Sequence, residues 1–507
     1  MNVSRPSLAA ALASLALLSL TACAVGPDYE RPETPAPTTD AFDKDTDARA
    51  APVLASDWWK LFRDPELDAL VAEGMKANQD LRAAVAAVRQ ARGVSDATDA
   101  GFYPTVNANP GLQRNRNSGT MSNSVNAGGT TRNSYSLPLS LNYEIDVWGR
   151  IRRLSENADE AEKASETDFA VVLQTVQTDI ATNYFNLRNF DTQIEIYEKT
   201  LGMFERQVSL TEKQYTAGLA LQTDVLQAKT LLESTRTQLI DARRQRTNLE
   251  HALALLTGRT AAEVAVKARA LATDVPVVPA GLPSQLLERR PEIAAAEHRL
   301  AAACAAVGAA KGDYFPKFML TGSAGLQTID TSRLVDWESR VWSLAPSISI
   351  PIFQGGRLDA QYAQSKATYD AALAAFRAAV LTAYRDVEDN LNNLRMYSES
   401  AASQDRTVTA ARENARLVEI QYRNGIINFL PALDAGRTLL TNELTAANIR
   451  AQRLVSTVAL VKSLGGGWDP KARLPFDPKK DGDERPDPGV TIPEAVSGEM
   501  SVVPEKK

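Results

Sequence analysis

The sequence predicts a mainly helical chain with a small amount of membrane β-structure: four transmembrane β-strands and long coiled-coil helical hairpins, in two tandem repeats. Three observations predict it. Short motifs recur at a nearly constant spacing. Stretches of about ten residues alternate strictly between apolar and polar side chains, as strands with two unlike faces do. Helical heptads run far beyond the length of an ordinary helix, with hardly a Gly or Pro to stop them.

Composition narrows the field before any motif is read. The 507 residues carry 56 Lys+Arg against 62 Asp+Glu, a net charge of −6. That argues against a nucleic-acid binder, because neutralising phosphates needs a basic excess. With 2 His and 2 Cys the chain has neither a disulfide framework nor the usual His/Cys metal sites. Past the N-terminus no apolar run of about twenty residues occurs, which excludes helical membrane spans.

The first segment reads as an export signal. Arg5 and the amino terminus are positive, Leu8 to Leu20 is apolar but short, and the stretch ends Leu20-Thr21-Ala22-Cys23. This resembles a bacterial lipobox, which implies cleavage after residue 22 and acylation of Cys23. Several acyl chains would make that anchor effectively permanent. Ala24 after the Cys resembles the sorting pattern of outer-membrane lipoproteins. Cys304, on an Ala-rich helical pattern, is expected to be a buried, inert thiol.

The body of the chain is written twice. Ala100-Gly101-Phe102-Tyr103-Pro104 recurs as Gly312-Asp313-Tyr314-Phe315-Pro316, and Trp148-Gly149-Arg150-Ile151 as Gly355-Gly356-Arg357-Leu358. Tyr215-Thr216-Ala217-Gly218-Leu219 recurs as Tyr422-Arg423-Asn424-Gly425-Ile426, 207 residues later (425 minus 218). The expected organisation is a signal peptide (1–22), a lipidated Pro-rich leader (23–56), repeat one (57–258), a connector (259–282), repeat two (283–468) and a flexible Pro/charge-rich tail (469–507). Each repeat should hold a helix, two strands and a long helical hairpin.

The strand signal is clearest from Tyr135, where Tyr135, Leu137, Leu139, Leu141, Tyr143, Ile145 and Val147 alternate with Ser, Pro, Asn, Glu and Asp. Trp342, Leu344, Ile348 and Ile350 repeat the pattern against Ser343, Ala345, Ser347 and Ser349. Partner strands should start at Pro104 and Pro316. A soluble sandwich strand alternates in the same way. The Asn/Ser/Thr/Gly-rich loop Gln113 to Asn133 and the lipobox favour a membrane barrel, apolar to lipid and polar to lumen. Four strands cannot close a barrel, and an open edge in lipid is prohibitive, so the chain must oligomerise.

The helices read as two hairpins. Arg153 to Tyr215 would reach roughly 90 Å. Its seam runs Ile194, Tyr197, Leu201, Phe204, Val208, Thr211, Tyr215, and resumes after Gly218 as Leu221, Val225, Ala228, Leu232, Thr235 and Leu239. The second copy repeats it through Phe376, Val380, Ala383, Val387 and Val408 to Tyr422, then turns at Gly425.

Several strings together resemble the TolC family of outer-membrane efflux channels, in the lipoprotein branch that serves RND-type pumps. They are Val25-Gly26-Pro27-Asp28-Tyr29, Trp58-Trp59 with Phe62 and Asp64-Pro65, Leu286-Leu287-Glu288-Arg289-Arg290-Pro291-Glu292-Ile293, Tyr314-Phe315-Pro316, Pro351-Ile352-Phe353-Gln354-Gly355-Gly356, and Leu433-Asp434-Ala435 with Arg437. The resemblance spans Cys23 to about Trp468. It implies a homotrimer in the outer membrane of a Gram-negative bacterium, with a 12-stranded β-barrel continuing into a 12-helix α-barrel across the periplasm. It also implies two partners, a periplasmic adaptor and a proton-driven inner-membrane RND transporter, since the duct itself has no energy source.

By that resemblance Gly218, Leu219, Thr223 and Asp224 of the first tip, with Gly425 and Ile426 of the second, form the adaptor-docking surface. Leu430, Asp434 and Arg437 match the residues that keep the periplasmic end closed. Asp434 and Arg437 could instead be a solvated (i, i+3) pair. Pro431 and Gly436 stand where related channels carry Thr and Gln, and are expected to loosen the first turn of that helix. No phosphate loop, nucleophile elbow or zinc motif is present, so no catalytic or metal site and no cofactor beyond the lipid on Cys23 is expected. His251 and His298 read as ordinary helix residues without partners. A type I secretion duct and a poreless structural lipoprotein remain alternative readings.

Overall fold

The computed structural model describes residues 24–34, 56–116, 118, 131–272, 274–276, 278 and 289–469. The signal peptide with Cys23, the stretch 35–55, most of the loop after Gln113, Leu286 to Glu288 and the tail from 470 lie outside the described residues.

Two helices, α1 (Pro65–Ala77) and α2 (Gln79–Asp99), precede the first strand, where the pattern predicts one. Asn78 makes the break. Its backbone is extended, and its side chain accepts the Leu81 amide at 3.0 Å, capping α2 as α1 ends. Asp64 caps α1 with Pro65 as its first residue, where the missing amide costs nothing.

The sheet is antiparallel, in the order β1/β2 (Thr105–Ala108 and Gly111–Arg116), β3 (Thr131–Ile145), β4 (Lys317–Thr328) and β5 (Arg340–Ser349). β1 and β2 are one strand interrupted at Asn109–Pro110, where proline has no amide to donate. The register on β3 is unbroken across the gap, with Ala108 opposite Leu139 and Gly111 opposite Ser136. β3 stops at Ile145, short of Val147, because Trp148 and Gly149 turn the chain into the next helix.

α3 (Arg150–Thr216) and α6 (Arg357–Arg423) are each 67 residues, and their return helices α4 (Gln222–Leu256) and α7 (Phe429–Ser463) are each 35. At about 1.5 Å per residue the long pair reach roughly 100 Å and the short pair roughly 50 Å. Both long helices start at a left-handed glycine, Gly149 (φ 76°) and Gly356 (φ 82°). α5 (Pro291–Gly312) lies against α3 and α6.

Three apolar clusters hold the bundle. Trp58, Trp59 and Phe62 pack with Tyr184, Phe185 and Leu454 where α1 and α2 wrap α3. Ile293, Leu300, Phe376 and Val387 join α5 to α6. Tyr197, Leu201, Phe204, Leu232, Tyr422, Phe429 and Leu440 seal the two hairpins to each other. The seam expected on α3 is buried from Tyr197 through Thr211, whereas Ile194 is partly buried and Tyr215 is exposed. Most of α6 is exposed in the described chain, including the apolar Leu381, Leu417 and Ile420.

Candidate functional site

Each hairpin turns by the same hydrogen bonds. In the first, Gly218 N–H donates to Tyr215 O (2.9 Å) and Leu219 N–H to Gln214 O (2.8 Å). In the second, Gly425 N–H donates to Tyr422 O (3.0 Å) and Ile426 N–H to Gln421 O (2.9 Å). This double bond satisfies the last helical carbonyls and requires a left-handed residue at the turn. Gly218 (φ 75°) and Gly425 (φ 72°) provide it. The turns project Leu219 (80% exposed) and Ile426 (69% exposed) into solvent, with Leu221 beside them.

Asp224 and Thr223, expected at the same tip, have different surroundings. The Asp224 carboxylate accepts the Leu221 amide at 3.1 Å and so caps α4, while Thr223 is exposed. Asn428 begins α7 with no side-chain cap.

Leu430, Asp434 and Arg437 occur at i, i+4 and i+7 on α7, and all three are exposed on one face. That face lines an open groove of about 1010 Å³ between α7 and α4, opposite Thr223, Gln227 and Thr230. Among the described residues neither Asp434 nor Arg437 has an ionic partner, so the solvated pair that their spacing also allowed does not form. Pro431 and Gly436 do not loosen the helix. Pro431 is the third residue of α7, where its amide would have no helical acceptor. Gly436 is a close-approach site, since a Cβ there would stand 2.9 Å from Cε1 of Phe204.

A contact that sequence alone does not show ties the tips together. The Tyr422 hydroxyl donates to Gln214 Oε1 at 2.6 Å and lies 2.9 Å from the Thr211 hydroxyl. Burial raises the Tyr422 pKa, so its proton stays on.

The leader has neither helix nor strand over 24–34, and its contacts hold it at the other end of the long helices. Val25 N–H bonds Trp148 O (2.9 Å), and Asp28 pairs with Arg153. Tyr29 and Arg31 both reach Glu297. Gly26 lies against Gly308 so closely that a Cβ would clash with its backbone. Pro27 O faces the thiol of Cys304, which is buried and whose pKa burial raises. Ala24 packs on Gly149, at the junction of sheet and helix. His298 is not partnerless either, since its Nδ1 stands 2.7 Å from Glu160 Oε2.

Two long hairpins with matched apolar tips, joined to an antiparallel sheet with two open edges, have the architecture of a channel subunit. Comparison with known proteins agrees. A family model described as outer membrane efflux protein matches residues 70–259 and 282–466. The solvent efflux pump outer membrane protein SrpC of Pseudomonas putida is 33% identical over 90% of this chain and 98% of its own. The cation efflux system protein CusC of Escherichia coli is 30% identical over 89% and 97%. The open state of the MtrE outer membrane channel of Neisseria gonorrhoeae superposes with a TM-score of 0.76 at 29% identity, over 89% and 100%. The chain belongs to the outer membrane efflux protein family, and its place is the outer membrane.

Proposed function

We propose that this protein is the exit duct of a tripartite RND-type efflux pump, passively conducting small molecules from a periplasmic adaptor and inner-membrane transporter to the outside. Three copies would close a 12-stranded barrel and a 12-helix tunnel. The observation that carries this reading is the tip itself: two glycine turns with matching hydrogen bonds expose Leu219 and Ile426, near a groove lined by Leu430, Asp434 and Arg437. Three Asp434 carboxylates brought to one axis would repel one another unless Arg437 of a neighbouring copy met them. A closed ring of such pairs, opened when an adaptor engages the tips, gives a gate.

Lipidation of Cys23 fits the same frame. Acyl chains on Cys23, the residue before Ala24, would add a lipid anchor to the duct. The domain organisation expected from the sequence stands as part of this proposal.

The test is crosslinking in cells from Leu219→Cys and Ile426→Cys, with captured partners identified by mass spectrometry. Capture of a periplasmic adaptor together with an RND transporter supports the proposal. Capture of an ATP-driven exporter, or of no adaptor by a folded channel, overturns it.

A further inference from the structure

On the barrel reading above, we infer that Arg114, Arg116 and Arg340 form a lipid-facing surface at the outer rim that binds the phosphates of the outer-leaflet glycolipid.

The two ends of the sheet are unlike. At one end each strand connects to a helix: α2 leads to β1, β3 to α3, α5 to β4 and β5 to α6. The other end holds only the connections from β2 to β3 and from β4 to β5, so in a barrel it is the outer end. Arg116 is the last residue of β2 and Arg340 the first of β5, and both stand there. Arg114 lies two residues further in on the same strand.

Register decides which face they occupy. Residues opposite each other across a strand pair share one face of the sheet, and alternate residues share it along a strand. Leu112 lies opposite Tyr135, Arg114 opposite Asn133 and Arg116 opposite Thr131. The two arginines therefore extend the apolar row of Tyr135, Leu137, Leu139 and Leu141. Arg340 lies opposite Leu326, which in turn lies opposite Leu137, and its own row continues as Trp342 and Leu344. All three cap the apolar face, which is the lipid side of a barrel. Arg132, opposite Asn115, occupies the other face with Ser134 and Ser136.

A charge on the lipid side needs a counter-ion, and the chain supplies none at this rim. From 100 to 143 the sequence has three Arg and no Asp, Glu or Lys, so the loop after β2 carries no carboxylate to offer. The acids of the second hairpin are engaged. Asp336 and Glu338 hold Arg333 at 3.2 and 2.6 Å, and Asp330 accepts the Ser332 amide at 3.0 Å. Arg340 donates its Nε to Trp337 O at 3.0 Å and stacks on the Trp337 ring. Among the described residues Arg114, Arg116 and Arg340 have no ionic partner.

The surroundings select a lipid over a free anion. Guanidinium groups take phosphate oxygens in a bidentate fork. The apolar row directly inward of the arginines suits the acyl chains beneath such a headgroup. Trp337 and Trp342 are 77% and 81% exposed, and indole rings of this kind settle at the level where headgroups meet hydrocarbon.

The test counts lipid retained by the full-length protein in detergent, using native mass spectrometry. One sample receives bisphosphorylated lipid A and another the same lipid A after phosphatase treatment. The parent protein should retain the phosphorylated form about tenfold better, the worth of its charge-assisted bonds. Arg114→Gln with Arg116→Gln, and separately Arg340→Gln, should lose most of that preference and melt like the parent. Arg132→Gln, at the same rim on the lumen face, should keep it. Millimolar inorganic phosphate should leave the lipid in place. Equal retention of both lipid forms, an Arg132→Gln loss as large as the double variant's, or displacement by inorganic phosphate overturns the inference. Current through a planar bilayer from the same preparation separates it from the barrel reading. A protein that conducts without preferring the phosphorylated lipid overturns the rim assignment and leaves the duct, whereas a folded protein that neither conducts nor shows the preference overturns both.

Discussion

The Tyr422 hydroxyl reaches from the second hairpin to the first, 2.6 Å from Gln214 Oε1, with its ring edge-on to Phe429 at 5.8 Å between centroids. It is the polar bolt of an otherwise apolar seam, immediately above the two turns. Tyr422→Phe keeps the ring and removes the bolt. Losing a net hydrogen bond should cost about 0.5–1.5 kcal/mol. The expected result is a modest fall in thermal stability together with faster proteolysis at the tips, whereas Tyr215→Phe should leave the stability of the isolated chain unchanged.

Among the described residues Asp434 and Arg437 have no ionic partner, so neutralising either removes no ion pair seen in the fold. Asp434→Asn and Arg437→Ala should therefore melt like the parent protein while raising single-channel conductance several-fold. Unaltered currents from a folded ring would remove these residues from the gate.

A buried ionic cluster clamps the connector to α3. Arg188, whose side chain is almost wholly buried, donates to Asp191 at 2.8 Å and to Lys267 O at 2.6 Å, and also pairs with Glu66. Nearby, Tyr184 donates to Asp64 at 2.7 Å, and burial pushes its pKa up to about 12. Asp191 keeps Arg246 at 2.5 Å when Arg188 is removed, so Arg188→Met should cost the lost charge-assisted bonds, about 1.5–3 kcal/mol. Thermal unfolding in detergent measures it, with Arg243→Met, on an exposed ion pair, as the near-neutral control.

Acid stability has a specific contributor. Glu160 is held below its ordinary pKa of 4.5, first by its hydrogen bond with His298 and then by Lys163. A carboxylate depressed in the folded state stabilises the fold above its unfolded value, and that contribution is lost as pH falls through the lower folded value. His298→Ala should lower stability at neutral pH and flatten the acid limb of the melting-temperature profile below about pH 4.5. An unchanged profile would contradict the assignment.

Much of this architecture is legible in the sequence because it is periodic. Heptads mark the long helices, two-residue alternation marks the strands, and the Tyr-x-x-Gly turns mark the tips. What periodicity cannot show is which of two equivalent residues meets a neighbour. Tyr215 and Tyr422 look alike in sequence, yet only Tyr422 has a second hairpin of its own chain to bind. The ionic cluster is equally silent, because Asp64, Arg188 and Arg269 converge only through the wrapping of α1 and the connector around α3. Gly436 misleads for a related reason. Read along α7 it is a weak helix former; across the seam it is the space Phe204 occupies. Val25 to Tyr29 reads as loop, yet nearly every residue in it has a partner more than a hundred positions away.

If copies of this chain close into a gated duct, current through a planar lipid bilayer reads it. The purified protein should insert with discrete, low-conductance steps, and the Asp434→Asn protein should show several-fold larger ones. A folded, inserted protein that passes no current in either form would contradict the account.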